Sequence, residues 1–124
     1  MSIYDLTDPT HLTVKHLTPE DYARFEAEEK LITEEFGESD FVVSINSKKW
    51  NDFVCNGPKN VYFGCGPYTH QPFNKVLNQQ TITIKQVIHF LIDNKFTAKG
   101  YDHKFLEVVS FNKKKNRVEL WFGS

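Results

Sequence analysis

The stretch KFLEVVSFNKKKNRVELWF, residues 104–122, decides the fold. KFLEVVSF (104–111) and RVELWF (117–122) are rich in β-branched and aromatic residues, and NKKKN (112–116) between them makes a five-residue turn. The pattern predicts a C-terminal β-hairpin. Alternation puts Phe105, Val109 and Phe111 on one face of the first strand. It puts Val118, Leu120 and Phe122 on one face of the second, with Glu119 and Trp121 on the other.

Upstream, Thr83 and Gln86 form a capping box, and Ile82 and Val87 are spaced as a hydrophobic staple. A helix over about 84–96 follows. Ile84, Val87, Ile88, Leu91 and Ile92 make its broad apolar face, His89 and Asp93 point away from that face, and Lys95 falls in the last turn. Residues 53–73 read as an irregular segment: it holds three of the six glycines, three of the five prolines and both cysteines, and Val61–Phe63 is a short strand within it. FVVSIN (41–46) reads as a strand, and SKKWNDF after it as a loop or a turn of helix.

A second helix signal lies at Thr18, with Pro19 at the first helical position and Asp21 at the third. This helix is expected over 19–36, ending at Gly37. Tyr22, Phe25, Ile32 and Phe36 form its packing stripe, and Glu20, Glu28, Glu34 and Glu35 are placed on the far side with Ala27 and Leu31. Residues 10–17 alternate weakly and read as a strand, and residues 1–9 as a loosely ordered tail.

Together these elements predict a single α+β domain over 1–124: an antiparallel sheet of four to five strands, two helices and the C-terminal hairpin. The N-terminus has neither a basic region nor an apolar run, and no stretch has the length of a membrane span. A cytoplasmic protein with reduced thiols and no membrane partner is expected.

Charge is divided along the chain. Residues 1–40 carry eleven acids against three bases, and residues 41–124 carry twelve bases against five acids, for a net charge of −1. An acidic and a basic surface follow. Leu31 among carboxylates resembles an apolar interface anchor inside a polar rim. Glu28, Leu31, Glu34 and Glu35, with Tyr68 of the central segment, are therefore the candidate partner-binding residues, suited to a protein with a basic surface.

Three other readings compete. Lys113, Lys114, Lys115 and Arg117, with Trp121 nearby, form a basic hairpin tip that suits a nucleic-acid backbone with a base stacked on the ring; a near-neutral chain argues against it. Cys65 and His70 are the candidate nucleophile and base of a small enzyme. As metal ligands, Cys55, Cys65 and His70 lack the paired spacing of a structural zinc site, so no metal is expected. GCGP (64–67) lacks the following Lys and helix of a phosphate loop, and no cofactor is expected. The two His-x-Thr triplets at His11 and His16 are an odd number of residues apart, which puts the histidines on opposite faces of a strand.

The reading that follows is a small, soluble, non-catalytic binding or regulatory protein. It would act on a macromolecule through the acidic helix or the aromatic central segment, in the manner of a phage- or mobile-element-type inhibitor. A homodimer through the terminal strand carrying Trp121 is a further option.

Overall fold

The computed structural model describes residues 18–65, 70–97 and 103–123. The expected strand at 10–17, the tail at 1–9 and Tyr68 lie outside them. Helix α1 spans Pro19–Phe36, followed by strand β1 (Val42–Val43), a 3-10 turn (Ser47–Lys49), β2 (Phe53–Asn56), β3 (Lys59–Cys65), β4 (Gln71–Leu77) and β5 (Thr81–Thr83). Helix α2 (Ile84–Asp93), β6 (Phe105–Asn112) and β7 (Arg117–Gly123) complete the described chain. The architecture is α+β with the C-terminal hairpin in place.

Five strands make one sheet in the order β1-β6-β7-β3-β4, and β2 pairs with β5 in a second. The sheet is mixed rather than wholly antiparallel. Hairpin partners β3–β4 and β6–β7 are antiparallel, whereas β1–β6 and β3–β7 are parallel. Parallel pairs need a long crossover, and both span one. The segment expected to be irregular supplies β2, β3 and the start of β4, with Gly57 and Pro58 between β2 and β3.

Both helices start where their caps predict. The Thr18 hydroxyl accepts from the Asp21 amide and the Asp21 carboxylate from the Thr18 amide; Thr83 and Gln86 repeat the arrangement. α1 stops at Gly37, whose φ of 69° belongs to the left-handed region and whose amide donates to the Thr33 carbonyl. α2 ends three residues before the expected 96. Lys95 adopts φ 55°, and the Phe96 amide turns back to the Leu91 carbonyl at 2.9 Å, which sends the Phe96 ring into the core. Lys95 thus lies past the helix rather than in its last turn.

The core joins Val87, Ile88 and Leu91 of α2 to Val61, Leu106, Val118, Leu120 and Phe122 of the sheet. A register shift between Leu106 and Val108 opposite β7 changes the parity of β6. Leu106 is therefore buried where simple alternation selects Phe105, which is only half-buried. The expected strand 41–46 keeps its alternation, with Phe41, Val43 and Ile45 buried, but only Val42–Val43 forms a ladder. Past it the Ile45 carbonyl is taken by the Trp50 indole at 2.8 Å, and the Asn46 side chain caps the 3-10 turn.

Candidate functional site

α1 is attached to the body through its C-terminal half. The Phe36 ring is buried against Trp50 and His89, with centroids 4.8 Å from each. Glu28 accepts from the Ser47 amide at 2.6 Å and the Ser47 hydroxyl at 2.8 Å. Glu35 meets Lys85 Nζ at 3.0 Å and His89 Nε2 at 2.8 Å. Hydrogen bonds from Lys85 and then His89 hold the Glu35 carboxyl below its ordinary value. At about 100° per residue, Glu28 and Glu35 fall within about 60° of Ile32, both on the same side of it, instead of opposing it. The structure thus separates the four candidate residues: Glu28 and Glu35 fasten α1, whereas Leu31 and Glu34 face outward, with Glu34 only loosely paired to Lys30 at 3.9 Å. His89, expected to point away from the core, faces α1.

The N-terminal half of α1 departs further from expectation. Tyr22 is 55% exposed and Phe25 50%, so the predicted stripe is buried only at Phe36 and partly at Ile32, whereas Leu31, expected to face outward, is exposed. Glu20, Glu26 and Glu29 are exposed on the same helix, as are Arg24 and Lys30. Between α1 and β1 runs a groove of about 820 Å³, lined by Phe25, Ile32, Phe36, Phe41, Val42 and Val43 with Glu28, Glu29 and Glu38 at its rim. Composition alone does not reveal it. The legible sign is Glu28–Glu29, which interrupts the stripe where an apolar residue would complete it.

The basic hairpin resolves into two parts. Lys113, Lys114 and Lys115 are exposed in the turn between β6 and β7. Arg117 and Trp121 belong to a cluster on the face of the sheet opposite Val118 and Leu120. Arg117 Nε donates to Glu119 at 2.7 Å, and its guanidinium lies 3.9 Å from the Tyr62 ring centroid. Asn112 donates to Glu119 at 3.2 Å. His70 sits with Nδ1 3.9 Å from Glu119 and its ring 4.3 Å from Trp121. Its Nε2 is buried with no hydrogen-bond partner among the described residues. Arg117 is thus neutralised within the fold, and three lysines remain of the candidate nucleic-acid surface.

Burial works against the ionised form of Glu119. Hydrogen bonds from Arg117 and Asn112, and the charges of His70 and Arg117, outweigh it and hold the carboxyl below its ordinary value. With the folded value below the unfolded one of about 4.3, this stabilisation is complete above that pH and lost as pH falls through the folded value. Glu119→Gln is expected to flatten the fall in Tm between about pH 5 and pH 3. Thermal melts across that range check it; an unchanged acid limb would deny Glu119 the role.

Trp121 is seated on Gly64, where a Cβ would lie 2.9 Å from Trp121 Cζ3. Gly64→Ala is expected to push the indole off His70 and destabilise the domain by about 1–3 kcal/mol. Trp121 and the buried Trp50 are the two tryptophans, so the change reads out as red-shifted emission. Emission identical to wild type would contradict this packing.

For chemistry, the described residues offer little. Cys55 is a buried free thiol, and burial raises its pKa, which disfavours the reactive thiolate. Cys65 closes β3 with its backbone opposite Phe122, and its side chain lies outside the described atoms. Among the described residues no group of three His, Cys, Asp or Glu side chains is placed to hold a metal ion. No described helix is long and apolar enough to cross a membrane. The chain matches no family model, and no curated protein or solved structure matches it.

Proposed function

We propose that this protein is a non-catalytic binding protein that occupies a macromolecular partner through α1. One observation carries the reading: Tyr22, Phe25 and Leu31 stand exposed on a helix that also exposes the carboxylates of Glu20, Glu26, Glu29 and Glu34 against two bases, Arg24 and Lys30. Large apolar side chains on a charged helix cost solvation unless something covers them, and apolar anchors inside a charged rim are how protein interfaces are built. The partner carries a basic surface, in keeping with the acid-rich first forty residues. An inhibitory or regulatory role follows, since a docked helix acts by blocking what it covers.

Reversing Glu28 or Glu35 would loosen α1 itself, so those positions cannot separate binding from folding. Glu26, Glu29 and Glu34 are exposed and carry no tie to the body among the contacts described. Affinity capture from bacterial lysate with wild type beside a Glu26→Lys/Glu29→Lys/Glu34→Lys variant tests the reading. A protein retained by the wild type and lost by a folded variant supports it. Nucleic acid retained by both and released by salt would transfer the function to Lys113–Lys115.

A further inference from the structure

We propose that the groove between α1 and β1 takes an extended segment of a partner protein, which adds to β1 as a further strand and carries Lys or Arg beside alternating apolar side chains. This names the partner's chemistry and rests on the docking role proposed above.

The free edge comes first. Among the described residues β1 ends the sheet and has β6 as its only neighbour there. The Val42 amide donates to the Lys104 carbonyl at 2.8 Å and the Ser44 amide to the Leu106 carbonyl at 2.9 Å. In a parallel ladder the intervening residue faces the other way, so the Val43 amide and carbonyl point to the open edge. The opposite edge, β4, is guarded by Pro72, Lys75 and Asn74, the last at φ 64°. Proline, lysine and a backbone kink are the usual devices against strand addition. Val42–Val43 carries none of them.

Size and charge then define the occupant. From Phe25 to Phe36 the helix lines the groove over about 16 Å, at 1.5 Å per residue. About five residues of extended chain cover that length. The volume of about 820 Å³ lies within the range filled by bound ligands and short segments. Phe25, Ile32, Phe36 and Phe41 provide the apolar wall, and the charged residues of the lining are Glu28, Glu29 and Glu38, with no base among them. Glu28 is committed to Ser47, which leaves Glu29 and Glu38 to attract cations. A second copy is a poor occupant, because a two-fold contact would oppose like carboxylates.

A displayed random-peptide library selected on the full chain tests this. The expected winners alternate apolar residues and carry Lys or Arg, and N-methylation of alternate amides in a winner weakens it roughly tenfold or more, as loss of backbone hydrogen bonds requires. Val43→Pro removes the outward amide and should cause a similar loss. Phe25→Lys, at a half-exposed position outside the buried core, should also cause it. No enrichment, acidic winners or apolar residues at helical spacing would overturn the proposal. Binding lost with Leu31→Ser/Glu34→Lys but kept with Val43→Pro and Phe25→Lys would overturn strand addition and leave α1 docking intact. A dimer in sedimentation that Val43→Pro dissolves would assign the edge to a second copy instead.

Discussion

Truncation of Leu120 to alanine is expected to lower the unfolding free energy by about 2–5 kcal/mol. Leu120 is fully buried on β7, the central strand of the sheet, opposite Val109 of β6 and Phe63 of β3. Removing its isobutyl group loses the transfer free energy and leaves a cavity that neighbours on both sides cannot close. Urea unfolding monitored by circular dichroism measures it, with the midpoint falling and the slope unchanged. Val76→Ala is the matched control: Val76 is 55% exposed on the edge strand β4 and should stay within about 0.5 kcal/mol. Equal losses at the two sites would mean that β7 is not at the centre of the core.

The second large effect is on binding. Glu26→Lys/Glu29→Lys/Glu34→Lys should weaken capture of a basic partner roughly a hundredfold or more, and Leu31→Ser alone about tenfold. Reversed rim charges slow encounter and repel the bound partner, whereas loss of Leu31 removes an anchor. Raising the salt should weaken wild-type binding and partly rescue the charge-reversed protein. Neither variant should lose stability, because these side chains are exposed. Glu35→Lys is the contrasting case: it places a second cation beside Lys85, removes the acceptor facing His89 and should lower Tm. A partner retained undiminished by the charge-reversed protein would end the α1 reading.

The candidate site was half legible. The acid-rich N-terminal region and the outward Leu31 follow from spacing along one helix. The division of labour among the glutamates does not. Glu28 and Glu34 look equivalent in a list of acids, yet Glu28 meets Ser47, nineteen residues later in the chain, and Glu35 meets His89, fifty-four residues later. Arg117 and Trp121 likewise appear in the sequence as part of a basic, aromatic tip. Arg117 meets Glu119 two residues along the same strand, whereas its stacking on Tyr62 and the seating of Trp121 on Gly64 depend on β3 lying beside β7.

Local events are legible in the chain alone: where α1 and α2 begin, the stop at Gly37, and the hairpin of β6 and β7. Each depends on groups within a few residues of one another, so capping, glycine conformation and alternation suffice to predict it. Tertiary structure decided the rest. It set the parallel pairing of β1 with β6 and of β3 with β7, the shift in β6 that buries Leu106, and the end of α2 where Phe96 turns inward. It also left Tyr22 and Phe25 in solvent, on a stripe that helical periodicity marks as core. Those outcomes are set by contacts between residues far apart in sequence, where burial of the whole core outweighs the preference of any one segment.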